Sequence, residues 1–106
     1  MKNFINKVAI ITGGGAGIGK ALCYKLAKLG ATVVVADIRE DYPKQVADDI
    51  TNNGGRANYM QVDVSCETDV QQLVDYAALK YGKIDYMFNN AGIAIGGDVR
   101  DLTLEQ

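Results

Sequence analysis

The chain has 106 residues, 48% hydrophobic, 23% charged and 8% aromatic, a balance that fits one globular domain and excludes a disordered tail or a fibre. Eleven Lys plus Arg against thirteen Asp plus Glu leave a net charge of −2, divided mildly as +2 up to Asn53 and −4 after it, so no basic face for a nucleic acid is expected. Apolar runs such as Val8 to Ile11 and Val33 to Ala36 reach only four residues, where a membrane-spanning helix needs roughly 20.

The segment Met1 to Lys7 has basic residues but no apolar signal core or small-residue cleavage site, which points to a cytoplasmic protein. Cys23 and Cys66 lack a C-x-x-C spacing and read as reduced intracellular thiols. Histidine is absent, and with it any His-based metal site or His general base.

The first predicted strand is Lys7 to Thr12, apolar on both faces through Val8-Ala9-Ile10-Ile11 as a buried parallel strand requires. A glycine-rich turn follows, and then a helix from Ile18 to Leu29 whose Ile18, Ala21, Leu22, Leu26 and Leu29 form a predicted buried face, with Gly30 as its C-terminal stop. Thr32 to Asp37 is the second strand. Pro43 is expected as the first residue of a helix with Val46, Ala47 and Ile50 inward, ended by Asn52-Asn53-Gly54-Gly55.

Ala57 to Val62 is the third strand. Ser65 is the expected N-cap of a helix reaching Tyr81, striped by Val70, Leu73, Val74, Ala77 and Tyr81 and closed by Gly82. Ile84 to Asn89 is a fourth strand, with Asn90-Ala91-Gly92 turning away from it. The order βαβαβαβ predicts a parallel sheet covered on both faces, since parallel neighbours need long, right-handed crossovers.

The turn Thr12-Gly13-Gly14-Gly15-Ala16-Gly17-Ile18-Gly19 carries the first chemistry. Glycines there let the backbone approach a pyrophosphate, whose charge a helix N-terminus then meets with its N–H groups. The spacing is T-G-x-x-x-G-x-G rather than G-x-G-x-x-G, and no G-K-[ST] follows as in a P-loop; a tight glycine turn without a ligand is the plain alternative. Asp37 ends the second strand eighteen residues after Gly19, near where dinucleotide-binding units place an acid for the adenosine ribose hydroxyls. A carboxylate there favours NAD over NADP, whose 2′-phosphate it repels; the alternative is a solvated acid. Ile38 follows directly, and Arg39, which could reach a 2′-phosphate, is expected to face solvent.

Together with Asp63-Val64 and Asn89-Asn90-Ala91-Gly92, the glycine turn resembles the cofactor-binding half of the short-chain dehydrogenase/reductase family, and the resemblance spans essentially the whole chain. It implies a Rossmann-like doubly wound α/β sheet of order 3-2-1-4, an NAD(P)-binding domain over residues 1–106, and NAD rather than NADP as cofactor. By the same resemblance Gly13, Gly15, Gly17, Ile18 and Gly19 line the pyrophosphate, and Asp37 with Ile38 the adenosine ribose. Asp63 accepts from the adenine amino group, Val64 packs beside the ring, and Asn90, Ala91 and Gly92 pass the cofactor's other side. Thr12 and Asn89 are implied to be structural, Thr12 tying the glycine turn to the Asn-Ala-Gly segment, and simple strand-end hydrogen bonding is the alternative for Asn89 and Asn90.

The family's catalytic Ser and Tyr-x-x-x-Lys have no counterpart here. Tyr24 with Lys28 and Tyr76 with Lys80 have the spacing but sit on crossover helices, so both are expected to be surface or packing pairs, and no catalytic residue is assigned within the chain. The resemblance implies hydride transfer with a small alcohol or carbonyl substrate in a longer protein, this chain being inactive alone, whereas a noncatalytic NAD-binding module is the alternative. An adenosyl-methionine methyltransferase, which shares the acid after strand two, is disfavoured by the Asn-Asn-Ala-Gly segment. Asp101 to Gln106 reads as the start of an element, and strand four without a neighbour would be an unpaired edge, so a missing C-terminal half or a homo-oligomer is expected.

Overall fold

The computed structural model describes residues 4–90, and the sites expected at Ala91 and Gly92 lie outside them. Strands β1 (Val8–Thr12), β2 (Thr32–Asp37), β3 (Arg56–Gln61) and β4 (Tyr86–Asn89) alternate with helices α1 (Gly17–Lys28), α2 (Asp41–Asn52) and α3 (Glu67–Tyr81). The strands form one parallel sheet in the order β3-β2-β1-β4, pairing Ile10 with Val34 and with Met87, and Val34 with Asn58. This is the expected doubly wound arrangement, and the order reverses between β1 and β4.

Each face of the sheet has its own core. Alternate residues of β1 and β2, Ala9, Ile11, Val33 and Val35, meet Cys23 and Leu26 of α1 and Val46, Ala47 and Ile50 of α2 on one face. Ile10, Val34 and Ala36 meet Val62 and Leu73 and Ala77 of α3 on the other. Every residue of β1 and β2 is buried, which is why those strands carry apolar residues at both parities.

Several details depart from the sequence reading, and the third strand runs Arg56–Gln61 rather than Ala57 to Val62. Ile18 is 80% exposed and Ala21 is also exposed; α1 instead buries Gly19, Cys23 and Leu26, because the glycine turn draws that side of its first turn against β1. Pro43 is the third helical residue of α2, a position whose missing N–H costs nothing because a first-turn N–H has no intrahelical acceptor. Ser65 does not cap α3: Cys66 is the N-cap, and the Ser65 hydroxyl donates instead to Asp63 Oδ1 at 2.6 Å. Finally β4 starts at Tyr86, since Asp85 is engaged at the strand's foot, where its N–H donates to the Val8 carbonyl at 2.9 Å and its Oδ2 accepts from the Val8 N–H at 2.8 Å.

Candidate functional site

A parallel sheet brings all its strand ends of one polarity to one edge. Thr12, Asp37 and Asn89 end β1, β2 and β4, and Asp63 follows β3 by two residues, so the polar residues singled out in the sequence gather along the carboxyl edge, where open α/β sheets bind ligands at the point of strand-order reversal.

The glycines of the turn do different things. Gly13 and Gly17 have φ of 66° and 56°, in the left-handed region that glycine enters without strain. A Cβ on Gly17 would meet nothing within 4 Å, whereas one on Gly19 would lie 2.2 Å from the Gly13 carbonyl oxygen. Gly19 therefore packs the helix on the turn, while Gly17 and the exposed Ile18 leave open space over it. Gly14, which the sequence reading did not single out, is a packing glycine: its N–H donates to the Ala36 carbonyl at 3.0 Å, and a Cβ would come within 2.9 Å of Val35 Cγ1. The only advance signal for it was its place in a run of three glycines.

Helix α1 opens without a side-chain cap and without an acidic residue in its first turn. Its first N–H groups and the positive end of its dipole thus face the open space by Gly17, an arrangement suited to an anion.

Asp37 is the most elaborated acid at this edge. Its side chain is 3% exposed. Oδ2 accepts from the Gly15 N–H at 3.1 Å and Oδ1 from the Arg39 N–H at 3.1 Å. The Arg39 side chain adds Nε to Oδ1 at 3.2 Å and Nη2 to Oδ2 at 3.3 Å. Burial alone would push the carboxyl's pKa up, but the Arg39 and Gly15 donors together hold it below the usual carboxylate value. Gly15 is buried behind this carboxylate, where a Cβ would strike Tyr42 Cβ at 2.6 Å and Asp37 Oδ2 at 2.9 Å. Arg39 is exposed, as expected of it, and its guanidinium also reaches back to Asp37 and lies 4.4 Å from the centre of the Tyr42 ring. Ile38 beside it is 57% exposed.

Asp63 sits in a turn, its Oδ1 accepting from the Ser65 N–H at 2.9 Å as well as the Ser65 hydroxyl, and both bonds hold its pKa down. Asp69 of α3 accepts the Asp63 N–H at 3.0 Å and fixes that turn to the helix, a contact the sequence did not announce. Val64 lines a groove of about 560 Å³ with Thr12, Val70, Met87 and Asn89. The Thr12 hydroxyl donates to Asn89 Oδ1 at 3.0 Å, and Asn90 Nδ2 to the Gly13 carbonyl at 3.4 Å, so β4 is tied to the glycine turn by two side chains.

The two Tyr-Lys pairs lie on the crossover helices α1 and α3. The Tyr24 hydroxyl donates to Asp49 Oδ2 at 2.9 Å, and burial followed by that bond pushes its pKa up to about 12, away from the range of a general base at neutral pH. Burial also raises the pKa of Tyr76, and Lys80 lies 5.8 Å from the centre of the Tyr81 ring. Among the described residues no group of three His, Cys, Asp or Glu could hold a metal ion, and no helix is long and apolar enough to cross a membrane.

Cys23 is fully buried, and burial pushes its thiol up to about 12. Titration of the native chain with an aromatic disulfide reagent at pH 8 is expected to modify Cys66, which is partly exposed, and to reach Cys23 only after urea unfolding. Rapid modification of both thiols in the native chain would contradict this burial.

The family model described as short chain dehydrogenase matches residues 7–106. The chain belongs to the short-chain dehydrogenase family. Tropinone reductase-like 1 from Erythroxylum coca is 50% identical over 95 residues, covering 90% of this chain and 34% of the relative. A short-chain dehydrogenase/reductase from Burkholderia phymatum in complex with NAD superposes with a TM-score of 0.82 at 40% identity, over 87% of this chain and 33% of that one. A 7α-hydroxysteroid dehydrogenase complexed with NADH and 7-oxo glycochenodeoxycholic acid does so with 0.80 at 42% identity, over 82% and 34%. The chain thus spans about a third of the length of the short-chain dehydrogenases it matches.

Proposed function

We propose that this chain is the cofactor-binding part of an NAD-dependent oxidoreductase, with the dinucleotide lying across the carboxyl ends of β1, β2 and β4. The observation that carries the reading is the buried Asp37 carboxylate at the end of β2, held by a backbone N–H of the same glycine turn that opens α1. An acid so placed suits a ribose diol and opposes a 2′-phosphate.

The residues fit such a group. The uncapped start of α1 and the space over Gly17 would take the pyrophosphate, with Gly13, Gly15, Ile18 and Gly19 shaping the turn. Asp37, flanked by Ile38, would take the adenosine ribose, Asp63 and Val64 the adenine, and Asn90 with Ala91 and Gly92 the opposite side. The bound nicotinamide would supply the hydride chemistry, between its ring and the carbon of a small alcohol or carbonyl compound. The residues of this chain bind and orient; the groups that move protons are assigned to a longer protein, and this chain alone is assigned no turnover. The complexes of related structures with NAD and NADH support the cofactor class. Two cysteines that form no disulfide support a cytoplasmic location, and the half-buried β4 supports association with more sheet or with a second copy.

Calorimetric titration of the 106-residue chain is the direct test. NAD is expected to bind at least tenfold more tightly than NADP, a ratio that like-charge repulsion at Asp37 readily supplies. Equal affinity for the two would remove the assignment of Asp37.

A further inference from the structure

Asp37 has a peculiarity that its proposed role does not account for. An ionised carboxylate offers about four lone-pair sites. Four donors are in place: the Gly15 N–H, the Arg39 N–H, and Arg39 Nε and Nη2. A ribose diol needs two acceptors here, and two of the four donors belong to a side chain that can leave.

The partners also differ in how firmly they are held. The Asp37 side chain is 3% exposed and keeps the Gly15 and Arg39 backbone donors when the Arg39 side chain moves, whereas that side chain is 52% exposed. Arg39 has a second seat, since its guanidinium already lies 4.4 Å from the centre of the Tyr42 ring and can keep that contact after giving up the carboxylate.

We propose that Arg39 is a displaceable cover on Asp37: in the free chain its guanidinium occupies the acceptor sites that the adenosine ribose would use, and NAD binds by moving it aside onto Tyr42. The inference rests on the NAD-binding reading above and adds a cost that this reading lacks. Arg39 thereby tunes affinity for NAD downward, as a positioning residue that competes with the ligand. Because the Arg39 side chain is half exposed, the competition is modest, and its removal corresponds to about a three- to fivefold gain in affinity.

The test titrates NAD into the unmodified chain, Arg39→Met and Arg39→Lys, and follows the Arg39 Nε–H resonance of the unmodified chain by nitrogen-edited NMR. Arg39→Met keeps the side chain's length without its donors and is expected to bind NAD about three- to fivefold more tightly. Arg39→Lys, which keeps the charge but not the fork, should fall between. The Nε–H resonance should shift on saturation with NAD. Unchanged or weaker binding by Arg39→Met, or a resonance that stays in place while NAD binds, overturns the cover and leaves the NAD-binding reading standing. If none of the three proteins binds NAD, the reading fails and the cover fails with it.

Discussion

Gly19→Ala is expected to destabilise the chain by about 3 kcal/mol or more, the upper range for forcing atoms into a packed interior. The added Cβ would lie 2.2 Å from the Gly13 carbonyl oxygen and 2.7 Å from Asn90 Nδ2, and the nearer of these is backbone that cannot rotate away. Either α1 lifts off the turn or the turn loses the conformation that leads β1 into the helix. Urea unfolding measures the effect: with a slope of about 1.5 kcal/mol/M for a domain of this size, the midpoint should fall by about 2 M at unchanged slope. Gly17→Ala is the control. Its Cβ meets open space, so only the left-handed φ of 56° is penalised, at about 1 to 2 kcal/mol. Equal losses in the two variants would show that the close approach at Gly19 is not what that glycine is for.

Asp37→Ala is the second substitution with a large expected effect, and it acts on two properties at once. In the free chain it leaves the buried Gly15 N–H without its acceptor, which costs about 1 to 3 kcal/mol of stability. In binding it removes the acceptor proposed for the ribose and releases Arg39 from its ion pair. NAD affinity should then fall about tenfold while NADP affinity holds or improves, so that the preference between them closes or inverts. Asp37→Asn separates the two effects, because its amide oxygen still accepts from Gly15 but carries no charge, while its NH2 faces the Arg39 donors; it should recover part of the stability and little of the preference. A tenfold preference for NAD surviving in both variants would place the discrimination elsewhere.

The same groups set how stability responds to pH. The Asp37 pKa is lowered in the folded chain, so its contribution is present above the ordinary value of 3.8 and is lost as the pH falls through the folded value. Cys23 and Tyr24 are raised from 9.0 and 10.0 to about 12, so their contribution is complete below pH 9 and is lost as the pH climbs towards 12.

Much of the fold was legible in the residues themselves. Val8 to Ile11 and Val33 to Ala36 are apolar at both parities, which only a strand covered on both sides tolerates, and the intervening helices are long enough only for parallel crossovers. The stops at Gly30 and Gly82, with φ of 104° and 81°, were readable because few other residues enter that conformation. The family was legible from three motifs in order, each with a glycine or an acid whose chemistry is local to a few residues.

The composition of the chain and the sequence of its elements therefore determined the sheet, the location of the glycine turn, and the acids and amides at the strand ends. Tertiary structure decided which way those groups are used. It turned α1 so that Ile18 faces outward and Gly19 inward, since helical periodicity alone cannot tell a core face from a face left open over a turn. It engaged Asp85 with Val8, Thr12 with Asn89, and Gly15 and Arg39 with Asp37. The reason is physical: hydrophobic pattern and turn chemistry act over a few residues, whereas the Val8 and Thr12 bonds each join residues 77 apart in the chain, which only the assembled sheet brings within 3 Å. Even the two-residue step from Asp37 to Arg39 took its geometry from the glycine turn packed behind the carboxylate.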